Sequence, residues 1–333
     1  MGDGMEMMVP IRLAVTGANG FVGQALCAEA VARGLAVRGL TRCFCPLPAG
    51  VENVAIGQVD GATTWQAALE GCDVVIHLAA RVHIMRDKAQ DPLTEFRRVN
   101  TQGTIRLAQE CVKAGVRRMV NVSSIGVNGP STLGESKFSD ADLPDPHNPY
   151  SLSKWEAEQA LRSMHEQGVI EVVTVRPPLI YGPGVRGNFL RLLSAVNRGI
   201  PLPLGMTRNF RDLLFVGNLV DFLLLCAQHP AANGNTYLVS DGTPVSTHTL
   251  LRGLARALNV PPRVFPFPPF LLQWLGNMTG YNAEFERLLS SLRVDSSKVF
   301  SELDWQPPFT LRQGLQSTAD WYKAALESSR KSV

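Results

Sequence analysis

Residues 11–33 read IRLAVTGANGFVGQALCAEAVAR, and this stretch decides the fold. The run 11–16 is short, apolar and β-branched, as a buried strand requires. Gly17, Gly20 and Gly23 follow, and Gln24 to Arg33 then carries a helical pattern. Strand, glycine turn and helix in this order make a dinucleotide-binding unit. Gly17 permits the tight turn, Gly20 lets the backbone approach a pyrophosphate, and Gly23 lets the helix pack close to the strand. The helix N-terminus, around Asn19, Phe21 and Val22, supplies N–H groups and a positive dipole end for an anion.

Outward from there the chain alternates. Strands are expected at 36–40, 72–78, 118–123 and 171–175, and helices at 101–114 and 150–167. This predicts an α/β fold, a Rossmann-type doubly wound parallel sheet. After Arg176 proline and glycine become dense, in PPLIYGPG, GIPLPLG and PPRVFPFPPF. A smaller C-terminal substrate-binding lobe of loops and short helices is expected there. TYLVS, at 236–240, reads as one more strand returning to the main sheet. The expected division is a dinucleotide-binding domain over 10–178, with 214–242 returning to it, and a substrate lobe over 179–213 and 243–325.

Of 333 residues, 45% are hydrophobic and 18% charged, ample material for a large core. The net charge of +3 is too small to argue for nucleic acid or an anionic membrane. Cys27, Cys43, Cys45, Cys72, Cys111 and Cys226 are scattered with no zinc spacing, so reduced cysteines and no metal are expected. The opening MGDGMEMMVPIR has no signal-peptide pattern. The apolar stretch from Leu213 to Cys226 is shorter than the ~20 residues that span a bilayer. A soluble, cytoplasmic protein is expected.

The end of the second strand usually decides the cofactor. An acid there bonds the ribose 2′-hydroxyl of NAD, and an arginine suits the 2′-phosphate of NADP. This chain reads Arg38-Gly39-Leu40-Thr41-Arg42, with no acid. Arg42 is the first candidate for the 2′-phosphate and Arg38 the second. NADP(H) is favoured on this reading, and NAD(H) is the other possibility.

Tyr150-Ser151-Leu152-Ser153-Lys154 sets a phenol and an ammonium on one face of a helix start. A free tyrosine titrates near ~10 and is a poor acid or base at neutral pH. A nearby ammonium favours the phenolate. Ser124, just past a strand end, offers a hydroxyl to orient a substrate oxygen, at the sheet edge where such folds bind ligands.

The pieces TGANGFVG, HLAA at 77–80, RVNTQGT at 98–104, VSS at 122–124, YSLSK, RPPLIYGPG at 176–184 and NFRDLLFVGNLVD at 209–221 occur in one order along nearly the whole chain. In them the sequence resembles the extended short-chain dehydrogenase/reductases, and within these the nucleotide-sugar epimerases, dehydratases and reductases. The resemblance implies a catalytic triad of Ser124, Tyr150 and Lys154. It implies that Asp60 touches the adenine and that Ala79, Asn100 and Pro177 line the cofactor channel. It implies that Asn188 and Arg211 hold the UDP moiety and that 201–205, with Leu204, passes beside the uracil. A homodimer through the helices near 101–114 and 150–167 is implied as well.

Two departures bear on the activity. Asn128 stands where a tyrosine commonly follows the serine, and the acid after the second strand is missing. They direct the expectation to a 4-reductase of a UDP-4-keto-6-deoxy-N-acetylhexosamine, giving a UDP-N-acetylquinovosamine-type product for surface polysaccharide. The alternative is a UDP-N-acetylglucosamine or UDP-glucose 4-epimerase with tightly held NAD. A third reading is a non-catalytic dinucleotide sensor, against which the intact triad argues. Ile125-Gly126 argue against a dehydratase, which carries an acidic pair there. The apolar run 265–275, FPFPPFLLQWL, is expected to pack on the substrate lobe or to touch a lipid-linked sugar.

Overall fold

The computed structural model describes residues 11–82, 91–272, 278 and 289–331. The chain divides into two compact units. One holds Met1–Val122, Asn148–Thr174 and Leu223–Asn235, and the other holds Ser123–His147, Val175–Phe222 and Thr236–Val333.

In the first unit, β1 (Arg12–Thr16) leads through the glycine turn into α1 (Phe21–Ala32), β2 (Ala36–Thr41) and β3 (Val51–Ala55). Next come α2 (Gln66–Leu69), β4 (Val74–His77), α3 (Pro92–Phe96), a π-helical turn over Arg97–Gln102, α4 (Gly103–Lys113) and β5 (Arg118–Val122). Then α5 (Pro149–Glu166) and β6 (Glu171–Arg176) follow. These strands stand in the order β3-β2-β1-β4-β5-β6 within a seven-stranded sheet. The pairings from β3 across to β5 are all parallel. This is the strand order of a dinucleotide-binding sheet, with the ligand crevice outside the carboxyl ends beside β1.

The central strands are apolar on both faces because helices cover both. In β4 every residue is buried. On one face Ala14, Leu40 and Val75 of the sheet pack with Trp65, Leu107 and Leu161 in a single core cluster. The start of α5 is fixed locally. Asn148 caps it, accepting the Ser151 N–H at 2.9 Å, and Pro149 takes the first helical position.

In the second unit, β7 (Leu179–Tyr181) pairs in parallel with β8 (Leu213–Phe215). The rest is α6 (Gly187–Asn197), α7 (Val216–Gln228, entering the first unit at Leu223), β9 (Thr236–Leu238), α8 (Thr247–Leu258), α9 (Ser297–Leu303) and α10 (Leu311–Lys331). The additional C-terminal helices form a smaller lobe. Its last helix has 21 residues, longer than the short helices expected from the proline-rich texture. Tyr181 is fully buried and donates to Asp241 Oδ2 at 3.0 Å. Asp241 Oδ1 accepts from Asn218 Nδ2 at 2.7 Å and from the Phe215 N–H at 2.9 Å, so this carboxyl ties β7, β8 and α7 together. Burial pushes its pKa above the usual carboxylate range. The run 265–275 is described as far as Leu272, which is buried, whereas Phe265 and Phe270 are exposed. Residues 273–275 lie outside the described residues. Among the described residues no helix is long and apolar enough to cross a membrane.

Arg38, the second candidate for a phosphate, is a fold residue. Its side chain is buried, and Nη1 donates to the carbonyls of Ala68 at 3.1 Å and Glu70 at 2.9 Å. It therefore satisfies orphan carbonyls at the C-terminal end of α2. Its Nε lies 2.9 Å from Glu52 Oε2, an ion pair without hydrogen-bond alignment. Replacing it with leucine leaves those carbonyls without a donor. Arg38→Leu is expected to lower unfolding free energy by about 1–3 kcal/mol, read from the urea midpoint. An unchanged midpoint would show that water satisfies them instead.

Candidate active site

The turn after β1 is shaped by contact distances. Gly17 has φ +67°, and a Cβ on it would stand 3.0 Å from the Ala79 nitrogen. A Cβ on residue 23 would meet the Gly17 oxygen at 2.2 Å. The turn therefore lies tight between the end of β4 and the first turn of α1. Its Gly17 N–H donates to the Leu40 carbonyl at 3.0 Å and its Gly20 N–H to the Gly17 carbonyl at 2.9 Å, which shapes a glycine cradle at the N-terminus of α1, with Asn19 exposed and Phe21 and Val22 half-buried. Such a cradle fits a pyrophosphate.

Lys154 and Tyr150 come from the first turns of α5. Lys154 is 2% exposed, and its Nζ donates to the Val122 carbonyl at 2.8 Å. Burial pulls its pKa down to about 8, partly offset by Glu158. The Tyr150 ring is half-buried and stands edge-on to buried Phe96, centroids 6.1 Å apart. Beneath them Asn100, in the π-helical turn, is fully buried. Its Nδ2 donates to Ser153 Oγ and to the Arg81 carbonyl, both at 3.0 Å, and its Oδ1 accepts the Arg81 N–H at 2.8 Å. Asn100 thus joins the chain after β4 to the residue beside Lys154. A π-turn at such a place re-aims one side chain out of the helical register. Asp60 accepts the Ala62 N–H at 2.9 Å and pairs with Arg98 at 3.1 Å. The Ala62 N–H, Thr63 and Arg98 hold its carboxyl below the usual range.

The second unit carries the other expected residues. Ser124 is half-buried, and its Oγ accepts the Gly126 N–H at 3.1 Å, capping a short 3₁₀ turn. The Pro177 carbonyl accepts the Ile125 N–H at 3.0 Å, which sets that turn against the end of β6. Asn188 is exposed in the first turn of α6, and Leu204 is buried. The Arg211 guanidinium donates to the Ser290 carbonyl at 3.1 Å and to its hydroxyl at 3.2 Å. Asn128 is buried, accepts from Arg176 at 2.9 Å and donates to the Ser139 carbonyl at 2.8 Å. The departure at 128 is thus a folded-in amide that supports its loop.

Sequence reasoning passed over Thr104 and Ser153, which hydrogen-bond to Asn100, and His77 and Thr16, which connect to it through Thr104. HLAA and RVNTQGT were conspicuous as motifs, but nothing in residue type says that the histidine is buried.

The description "NAD dependent epimerase/dehydratase family" matches residues 13–240. The chain belongs to this family. It is an enzyme family, and the chain is 39% identical to the UDP-glucose 4-epimerase of Vibrio cholerae over 96% of this chain and 98% of that protein. The solved structure of MoeE5 in complex with UDP-glucose and NAD has 28% identity and TM-score 0.77, covering 95% of this chain and 99% of that one. MoeE5 in complex with UDP-glucuronic acid and NAD gives 27% and 0.76, covering 94% and 99%.

These comparisons overturn the preference for NADP(H). The family is NAD dependent, and the similar complexes hold NAD. The physical reason lies in the arginines. Arg38 is buried under α2, as described above. Arg42 is exposed, and its part in the fold is played by its carbonyl, which accepts the Gly57 N–H at 3.2 Å. An arginine at that point of the sequence is no sign of a 2′-phosphate here.

The Lys154 shift has a definite sign. Its folded pKa lies below its unfolded one, so the folded state binds fewer protons between about 8 and 10.5. Its cost to stability is full below that window and vanishes as pH rises through it. Lys154→Met should therefore unfold at the same or a higher temperature at pH 7, with any gain shrinking towards pH 10.5. A lower melting temperature at pH 7 would mean that the Val122 contact outweighs desolvation.

Proposed function

We propose that the protein is a UDP-hexose 4-epimerase working with tightly held NAD. The observation that carries this reading is near full-length identity of 39% to a UDP-glucose 4-epimerase in a chain that retains Ser124, Tyr150 and Lys154. The 4-reductase expected from the sequence rested on a 2′-phosphate at Arg42, and it loses that premise.

In this reading Tyr150 takes the proton of the C4 hydroxyl and later returns it, while Ser124 hydrogen-bonds the same oxygen. The Lys154 ammonium favours the phenolate through its charge, in a site where burial strengthens that field. When bound, NAD would supply reversible hydride acceptance for the oxidation and reduction at C4. The turn Gly17, Gly20 and Gly23 would hold the pyrophosphate, Asp60 the adenine, and Ala79, Asn100 and Pro177 the channel. Asn188, Leu204 and Arg211 would hold the UDP end, Arg211 by a fork that bonds two phosphate oxygens. A homodimer through α4 and α5 belongs to the same proposal.

The test uses purified protein and UDP-galactose with no added dinucleotide. An equilibrium mixture with UDP-glucose, followed by NMR, is expected, and Tyr150→Phe should lower kcat at least ~10²-fold with the fold intact. UDP-N-acetylglucosamine in a parallel sample reads tolerance at C2. Absence of interconversion, with NADPH consumed on a UDP-4-keto-6-deoxy sugar, would sink the proposal.

A further inference from the structure

The residues between the glycine turn and α5 form one continuous chain of hydrogen bonds. Thr16, the last residue of β1, accepts the N–H groups of Leu78 and Ala79 on its Oγ1, each at 3.1 Å. The same oxygen lies 2.8 Å from His77 Nδ1. On the other side of the ring, His77 Nε2 lies 2.9 Å from Thr104 Oγ1. Thr104 donates its hydroxyl proton to the Asn100 carbonyl at 2.7 Å. The Asn100 amide continues to Ser153 Oγ, and Ser153 donates to the Tyr150 carbonyl at 2.8 Å.

Counting protons fixes the state of the ring. A threonine oxygen has one proton and two lone pairs. Both lone pairs of Thr16 are taken by N–H groups, so its proton goes to His77 Nδ1. The Thr104 proton goes to Asn100, so Thr104 accepts from His77 Nε2. Two independent counts thus give one neutral tautomer, protonated on Nε2. Its surroundings agree: the ring is fully buried, and desolvation, with Lys154 as the second cause, brings its pKa down to about 3.

We infer that His77 is a positioning residue, a neutral strut that holds the phosphate-binding turn and the Tyr150–Lys154 helix in one register. The bonds on its two faces lead to the two halves of the first unit's machinery. One leads to Thr16, next to Gly17. The other leads through Thr104 and Asn100 to Ser153, next to Lys154. A slip of either would leave a buried donor or acceptor unpaired. An apolar ring of the same size would pack there but set no register. The inference deepens the epimerase reading and rests on it for the reaction that is positioned.

The test has an arm that needs no substrate. Nitrogen-15 NMR of the holoprotein, with the His77 signal assigned by its loss in His77→Phe, should show a protonated Nε2 and a bare Nδ1 from pH 6 to 8. A proton on Nδ1, or a doubly protonated ring at pH 6, overturns the inference. In the second arm, Thr104→Val removes one partner at nearly constant volume. It should lower kcat on UDP-galactose about tenfold or more, with KM within twofold and a smaller share of NAD retained on gel filtration. Adding His77→Phe should cost little more, because both changes break one link. Should the double variant fail to fold, His77→Gln, which keeps a donor and an acceptor, should restore part of kcat relative to His77→Phe. A drop in melting temperature with kcat and NAD retention unchanged would make His77 an ordinary core residue. If the wild type does not turn over UDP-galactose, the epimerase reading fails, while the tautomer and NAD retention still decide the role of His77.

Discussion

The Gly17 carbonyl oxygen lies where a Cβ on residue 23 would stand only 2.2 Å away, and the rest of the first unit is arranged around that approach. No side chain fits, so the first turn of α1 closes directly on the residue that follows β1. The same turn lies against Ala79, just past β4. The neighbours of β1 are therefore constrained at both ends of the turn, by β2 through the Gly17 N–H to the Leu40 carbonyl at 3.0 Å, and by β4 through Thr16. In open parallel sheets of this strand order, ligands bind outside that edge.

Elements whose burial is written into residue type were legible. IRLAVT, the run at 72–78 and EVVTV are continuous apolar segments bounded by turn residues, and each is a buried strand. The edge strand β3 was not, because VENVA faces a neighbour on one side only and carries two polar residues. Neither was α7 as a helix, since its sequence VGNLVDFLLLCAQ is mostly apolar, and a run of that kind does not by itself tell a buried helix from a strand. In α10 the interior Gly314 reads as a breaker. In the fold it is a packing residue, because a Cβ there would stand 2.6 Å from the Tyr181 hydroxyl. Sequence pattern reports how a segment meets water and misses what it meets inside.

The site divides along the same line. The spacing of Tyr150 and Lys154 and the position of Ser124 were readable because they follow from helix geometry and strand ends. Arg42 was misread because an arginine side chain reaches far enough to serve a ligand, the protein or solvent, and the sequence does not say which. Arg38 shows the same ambiguity from the other side, as a charged residue within β2 that belongs to the fold. Asn128, which stands where a tyrosine commonly follows the serine, has its amide engaged with Arg176 and Ser139. Polar residue types near a site state a capacity, and only their partners state a use.

An epimerase and a reductase of this family would share one acid/base apparatus and differ in what happens to the cofactor between turnovers. A reductase must release its dinucleotide each cycle, so its cradle has to open. An enzyme that returns the hydride it removes gains from a cradle that stays closed. The polar links beneath the glycine turn bear on that difference. Thr16, His77, Thr104, Asn100 and Ser153 are each buried, and each link of the chain is satisfied by another member or by backbone. A buried polar network with every proton committed has no low-cost alternative arrangement, since any local opening strands a donor or acceptor away from water. Opening the ground beneath the glycine turn therefore carries a cost that the exposed rim of the turn does not.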